Sequence, residues 1–365
     1  MTDLRKELSS LLEEVKRSKS KDRNLPPEER SAEEGRLESS KKRIEELQKE
    51  IEVRENEVNK YKERQSLKFK EKRSMMFREG WPLLKDRYQP LRLIGDGGFA
   101  QVYLGLDCET YCQVAIKILT LGEKTLSTEN YDNAVKHYER EVKTLSSLKH
   151  QNIVKMIDKI DIQDGKIGIV MEYCNGVELK SLLNREGTIQ EEEARKIIRQ
   201  IFCALKYLEE QKFRVIHYDL KPANILYQNG VVKILDFGIC KVMERPEDSN
   251  MELTSANVGT FWYLPPEIFD RSQTPLISNK LDVWSTGVIF YQLLFGKKPF
   301  GEGMNQAKMM REGFLEMTKE CVFPEEPLKR GRVSREATEF IQACLERDPK
   351  RRLSASQAYD HPYFK

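Results

Sequence analysis

The stretch HYDLKPAN, His217–Asn224, decides how the rest of the chain is read. It sets a carboxylate (Asp219), an ammonium (Lys221) and an amide (Asn224) within six residues. Twelve residues beyond Asn224 the triplet DFG begins, at Asp236. Singly, each of these is an ordinary polar loop residue. In this order they supply an oxygen base, a fixed positive charge and two hard oxygen ligands for a divalent cation. Tyr218 stands directly before Asp219.

Two motifs upstream belong with this loop. GDGGFAQV, Gly95–Val102, carries glycines that let the backbone approach phosphate oxygens and offer them N–H groups. Gly95, Gly97 and Ala100 also fit the dinucleotide fingerprint, but that fingerprint opens a helix. Here a β-like run, 101–107, follows, so the turn joins two strands and reads as a flap over nucleotide phosphates. In VAIK, Lys117 lies in an apolar β-like segment about 20 residues after the glycines. A lysine there is a solvated edge residue unless a later helix brings a carboxylate to it. Glu141 is the first candidate and Glu139 the second. Phosphoryl transfer requires positioning, metal ions and charge neutralisation more than covalent help. The set predicts that chemistry: Asp219 orients an attacking hydroxyl and takes its proton, Lys221 neutralises the phosphate, and Asn224 and Asp236 hold magnesium.

The bulk of the chain fits an enzyme domain with an added charged segment. The 365 residues are enough for more than one compact unit. The net charge of +3 is no nucleic-acid-binding excess. Residues 1–80 hold 22 basic and 19 acidic side chains and the remainder 40 of each, so about half of the first segment is charged. Seven cysteines without a CxxC pair read as free thiols in a reducing compartment, with Cys108 and Cys112 as a weak metal pair lacking further ligands. The most apolar run, Val283–Gly296, is too short for a bilayer span and reads as a buried helix. No membrane and no direct nucleic-acid partner are expected.

The segment 1–80 reads as helical. Leu4, Leu8, Leu11, Leu12 and Val15 have helical spacing, and Pro26 and Pro27 interrupt it. Leu37, Ile44, Ile51 and Val58 then recur every seven residues, with Leu47 and Tyr61 at the offset position. A coiled coil or partner helix over 37–61, and so possible self-association, is one reading. A solvated single helix with many i, i+4 ion pairs is the other. SKKR (40–43) and KEKR (70–73) are nuclear signals or solvated helix faces. After a linker at 81–87 come strands near 88–94, 101–107 and 113–119, a helix over 130–148 and strands within 153–172. From 190 onward helices dominate, with loops at 217–238 and 245–267.

From residue 88 to 365 the chain resembles a eukaryotic protein kinase catalytic domain. The resemblance implies an α+β, two-lobed fold: a small β-rich lobe over about 88–173 and a larger helical lobe over about 174–365. It implies ATP with Mg²⁺ as the nucleotide and metal. Gly95, Gly97, Val102 and Ala115 would line the ATP site, with Met171 as gatekeeper and the backbones of Glu172 and Cys174 facing adenine. Lys117 would contact the α and β phosphates and pair with Glu141. Glu267 of PPE would pair with Arg352, and Asp282 would brace the catalytic loop. Lys221 in DLKPAN and Thr260 in GTFWYLPPE resemble a serine/threonine kinase. HYDLKPAN, MELTS (251–255), GTFWYLPPE and SNKLDVWSTGVIFYQLLFGKKPFG (278–301) resemble the Tousled-like kinases. That family implies protein substrates of the anti-silencing histone-chaperone type, action in chromatin assembly, and a nuclear rather than cytoplasmic setting. Its usual N-terminal region is much longer than the one here.

Tyr218 cannot make the charge pair that an arginine makes with an activation-loop phosphate. Ser249, Thr254 and Ser255 remain in that loop. Either the loop orders without a phosphate at this position, or another base, Lys241 for instance, takes over. A pseudokinase or coiled-coil scaffold is the competing function, and a scaffold is free to lose one of Lys117, Asp219, Asn224 or Asp236.

Overall fold

The computed structural model describes residues 7, 10–13, 15, 38–54, 56, 60, 82–97, 100–120, 128–162, 165–243, 251–252, 260–269, 276–305, 308–309 and 318–365. Two compact units emerge: residues 1–82 with Cys108–Cys112, and Leu83–Asp107 with Gln113–Lys365.

In the first unit, residues 38–54 are helical. Ion pairs run along this helix, Arg54 to Glu50 at 2.8 Å and Arg43 to Glu46 at 3.5 Å. Arg43 also donates twice to Glu7 Oε1, at 2.9 and 3.1 Å. Ile44 and Leu47 are buried. Leu4, Leu8, Leu37, Val58, Tyr61 and the cluster at 70–73 fall outside the described residues.

The second unit begins with five antiparallel strands: β1 (Tyr88–Asp96), β2 (Ala100–Asp107), β3 (Gln113–Thr120), β4 (Met156–Ile162) and β5 (Lys166–Glu172), in the order β1-β2-β3-β5-β4. Strand alternation sorts β3 into two faces. Val114, Ile116 and Ile118 enter one apolar cluster with Tyr88, Tyr103, Ile160 and Val170. Ala115, Lys117 and Leu119 point the other way, and Leu119 joins the main core. Helix α1 (Thr128–Ser147) follows β3 and brings Tyr138 and Leu145 into that core, with Leu148 just beyond its end.

Next come the short β6 (Val177–Glu178), α2 (Leu179–Glu186) and α3 (Glu191–Glu209). Three glutamates open α3, where acidic side chains favour the positive end of the helix dipole. Its buried stripe, Ile197, Ile198, Ile201, Leu205 and Leu208, follows the helical period. Strands β7 (Val215–Ile216), β8 (Ile225–Gln228), β9 (Val231–Ile234) and β10 (Lys241–Val242) then frame the HYDLKPAN and DFG stretches, and β11 (Met251–Glu252) pairs with β12 (Leu276–Ile277).

Helix α4 (Lys280–Phe295) is buried nearly all round, as a central core helix must be. Gly287 lets α4 approach its neighbour: a Cβ there would meet Cys344 Cβ at 2.8 Å. Helices α5 (Glu325–Lys329), α6 (Arg335–Cys344) and α7 (Ala355–Tyr359) complete the unit. A β-rich lobe is followed by a helical one, as expected for the α+β kinase fold.

One element departs from the expected loop at 217–238. Strands β8 and β9 form a hairpin inside it. Asn229 and Gly230 both have positive φ (49° and 81°), the conformation an Asn-Gly hairpin turn requires. The signal lay in the sequence as NG between apolar residues. No helix among the described residues is long and apolar enough to cross a membrane.

Candidate active site

Lys117 projects from β3 onto Glu141 of α1. Its Nζ lies 2.9 Å from Oε1 and 2.7 Å from Oε2 of that carboxylate, and 3.2 Å from Asp236 Oδ1. Glu141 is buried, whereas Glu139 is exposed on the next face of the helix. Burial alone would lower the Lys117 ammonium, but the Glu141 and Asp236 carboxylates outweigh it and raise it. Burial alone would raise Asp236. The facing ammonium and the Gly238 N–H, 3.3 Å away, hold it below the usual carboxylate range. Gly238 permits this approach: a Cβ there would stand 3.3 Å from Asp236 Oδ1 and 3.5 Å from Glu141 Oε2.

The HYDLKPAN loop is held from below by α4. Asp282 accepts the backbone N–H of His217 at 2.7 Å and of Tyr218 at 2.9 Å. Burial raises its carboxyl to about 6 despite these hydrogen bonds. The brace opposes local strain, since Tyr218 (φ 70°) and Asp236 (φ 59°) occupy left-handed backbone that non-glycine residues rarely adopt. His217 Nε2 lies 2.8 Å from the Leu235 carbonyl, and the His217 ring meets Phe237 edge-on at 4.7 Å. The two catalytic stretches are thereby fixed to each other.

Asp219 sits at the centre of a hydrogen-bond knot. Lys221 Nζ donates to its Oδ2 at 2.6 Å, and Asn224 Nδ2 donates to its backbone carbonyl at 2.9 Å and to Oδ2 at 3.1 Å. Thr260 donates to Oδ1 through its N–H (3.0 Å) and its hydroxyl (2.7 Å), and that hydroxyl accepts from Lys221 at 2.9 Å. The Asn224 amide nitrogen is spent on the loop, which leaves its amide oxygen as the donor for a cation. The Leu235 N–H donates to the Asn224 carbonyl at 2.9 Å, which sets Asn224 beside the stretch that carries Asp236. One carboxylate and one amide oxygen suit magnesium, which takes few protein ligands and completes its shell with phosphates and water.

The residues expected to line a nucleotide site lie on β1, β2, β3 and β5, in the turn between β1 and β2, and just beyond β5. Gly97 N–H donates to the Ala100 carbonyl at 3.0 Å, closing the turn between β1 and β2. Among the described residues, a Cβ on Gly95 would meet Val102, at 3.5 Å, which is ordinary contact. Ala115 pairs with Met171 across the sheet, and Val102 pairs with Lys117. The Glu172 N–H and side chain are committed to Lys155 and Lys233, at 2.9 and 2.6 Å. Its carbonyl receives a long contact from the Cys174 thiol at 3.9 Å.

Further along, Arg352 makes two hydrogen bonds to Glu267, at 2.7 and 2.9 Å. Thr260, which the sequence reading used only as a class marker, joins the hydrogen-bond knot of Asp219. Its link to Asp219 spans 41 residues of chain, and no local pattern announces it. None of the seven cysteines is in a disulfide, and no cluster of three or more His, Cys, Asp or Glu residues suited to a metal occurs among the described residues.

Comparison with known proteins agrees with this geometry. The protein kinase domain family matches residues 88–364. The chain is 41% identical over 286 residues to the serine/threonine-protein kinase TOUSLED of Arabidopsis thaliana, covering 78% of this chain and 41% of that protein. It is 43% identical over 293 residues to the human serine/threonine-protein kinase tousled-like 2, covering 78% of this chain and 37% of that protein. A Caenorhabditis elegans tousled-like 1 is 42% identical over 290 residues, 29% of its length. The chain thus spans less than half the length of these curated relatives. With two lobes, a braced catalytic loop and a match across three quarters of its residues, the chain belongs to the protein kinase family.

Proposed function

We propose that this chain is a serine/threonine protein kinase of the Tousled-like type, moving the γ-phosphoryl group of ATP to protein hydroxyls with Mg²⁺. The observation that carries the reading is the knot of Asp219, Lys221 and Thr260, set in the same lobe-to-lobe frame as the Lys117–Glu141–Asp236 contact. Asp219 Oδ2 accepts from Lys221 and Asn224, and Oδ1 accepts twice from Thr260, which fixes the carboxylate in one orientation for an incoming hydroxyl. It takes the hydroxyl proton as the new oxygen–phosphorus bond forms. Lys221, 2.6 Å away, meets the negative charge of the transferred group. Lys117 steadies the non-transferred phosphates, and Glu141 steadies Lys117. Asn224 and Asp236 would hold Mg²⁺, which neutralises phosphate charge when bound.

The scaffold reading has less support, because Lys117, Asp219, Asn224 and Asp236 are all present and the first three are fixed by several hydrogen bonds or ion pairs. By resemblance, the acceptors are histone chaperones of the anti-silencing type and the setting is chromatin in the nucleus. SKKR gives this setting little independent weight, since Arg43 is engaged with Glu7 and Glu46.

The test is transfer from Mg-ATP by the phosphatase-treated chain, with a histone chaperone and a generic basic protein as acceptors. Wild type is expected to label serine and threonine, and Asp219→Asn to lose at least about 10³-fold in rate. ATP binding with no transfer to any acceptor would favour the scaffold.

A further inference from the structure

Tyr138, Glu141 and Leu145 of α1 are all buried, and their spacing of three and four residues puts them on one side of the helix. Leu145 enters the apolar core, and Glu141 meets Lys117 at 2.7 Å. The Tyr138 ring also reaches the core, but its hydroxyl donates to the Gly168 carbonyl of β5 at 3.2 Å. A phenylalanine would fill the same space with no hydroxyl to satisfy, so packing of the ring does not account for the oxygen.

The sheet fixes this acceptor to Lys117. Gly168 pairs with Ile118 of β3, and the next residue, Ile169, pairs with Lys117. A Cβ on Gly168 would stand 3.0 Å from the Lys117 carbonyl and 2.9 Å from Ile160 Cγ1, so glycine lets the two backbones lie this close. The carbonyl that takes the Tyr138 hydroxyl therefore belongs to the same rigid patch of backbone as Lys117.

The ion pair by itself does not set the place of α1. The Lys117 ammonium ends a flexible stem and acts as a point charge, so it keeps contact with Glu141 over a range of helix positions. It is also shared with Asp236, at 3.2 Å. Leu145 adds packing, which has no direction. A tyrosine hydroxyl ends a rigid ring on few torsions, and its bond to a fixed carbonyl defines both the rotation and the slide of the helix. Burial, with the Asp161 and Asp158 charges adding to it, pushes that hydroxyl up to about 12, so it stays a donor throughout the neutral range.

We propose that Tyr138 is a positioning residue for the Lys117–Glu141 pair: its hydroxyl, held by the Gly168 carbonyl, sets α1 at the rotation from which Glu141 directs the Lys117 ammonium. Its effect on phosphoryl transfer rests on the kinase reading, whereas its hold on Lys117 does not.

A double-mutant cycle of Tyr138→Phe with Glu141→Gln, made in the full chain, tests this with two readouts. The first is acylation of the Lys117 amine by an N-hydroxysuccinimide ester, read by peptide mass spectrometry against Lys159, an exposed lysine of β4. Burial lowers the Lys117 ammonium and the Glu141 and Asp236 carboxylates outweigh it, so a loosened pair speeds acylation. The second readout is kcat/KM for ATP. Tyr138→Phe is expected to raise the first at least about threefold and to lower the second about fivefold. In the Glu141→Gln background both effects should shrink to within about 1.5-fold, because the hydroxyl acts through Glu141. Tyr291→Phe is the control. It loses a hydroxyl bond elsewhere, to the Val322 carbonyl at 2.8 Å, and should leave both readouts within about 1.5-fold of wild type. Thermal melts establish that each variant is folded. Equal effects of Tyr138→Phe in the two backgrounds overturn the proposal. So do an unchanged Lys117 acylation rate, an unchanged kcat/KM in a chain that transfers phosphate, or a Tyr291→Phe that does as much. Faster acylation in a chain that transfers no phosphate upholds the hold on Lys117 and refutes only the kinase reading.

Discussion

At the scale of single residues, Tyr218 and Asp282 show how the catalytic loop is held. Tyr218 is buried, and its hydroxyl has no hydrogen-bond partner among the described residues. Burial pushes that hydroxyl up to about 12, so it stays neutral. Removing an unsatisfied buried polar group is neutral or favourable. Tyr218→Phe is therefore expected to keep its transfer rate and to gain up to about 1 kcal/mol in urea unfolding. Tyr218→Arg places a charge in the same apolar cluster and should lose about 3 kcal/mol or more. Equal stability of the two variants would contradict this account. Asp282 supplies a pH dependence of defined sign. Its carboxyl is raised to about 6 in the folded chain, above the unfolded value near 4. Between those two values the folded state binds more protons than the unfolded one, so this group's contribution to stability falls as pH rises from about 4 to 6 and is then flat. Asp282→Asn cannot titrate. Its stability deficit relative to wild type should shrink across that window, by at most about 3 kcal/mol. A deficit that stays constant or grows with pH would refute the shift.

At the scale of elements, the pairing of β3 with α1 carries the argument. Helix periodicity separates the two acids the sequence left open: Glu139 is exposed and Glu141 faces Lys117 at 2.7 Å. Glu141→Gln is expected to lower kcat/KM by about 10²-fold, because the ammonium loses the charge that positions it. Glu139→Gln should stay within about twofold, the behaviour of a surface change. Steady-state rates with ATP varied distinguish these outcomes. Asp219, Asp236 and Lys117 were legible because their chemistry is written in short, ordered motifs. The apolar run of α4 was legible because a helix buried nearly all round has no polar face to mislead. The β8–β9 hairpin was missed because polar catalytic residues flank it and drew the whole stretch into one loop. Thr260 was missed for a different reason: its partnership with Asp219 is made by folding, across residues that share no local period.

At the scale of the whole molecule, the charged N-terminal segment raises the question of assembly. The heptad spacing of Ile44 and Ile51, with Leu47 at the offset position, describes a helix with a continuous apolar row. Such a row drives association only where it is open to a partner. Ile44 and Leu47 are already buried within the single chain, and Ile51 is half-buried. The remaining helix surface is laced by Arg54–Glu50, Arg43–Glu46 and Lys41–Glu38 ion pairs, the pattern of a solvated face. The full chain is expected to be monomeric in light scattering at micromolar concentration, with the same result for a chain beginning at Leu83. A stable dimer of the full chain, abolished by Leu47→Glu and absent from the shorter chain, would show that this row opens to a partner. In that case association through the first unit, and not ion pairing along its surface, would be the physical reason for the heptad.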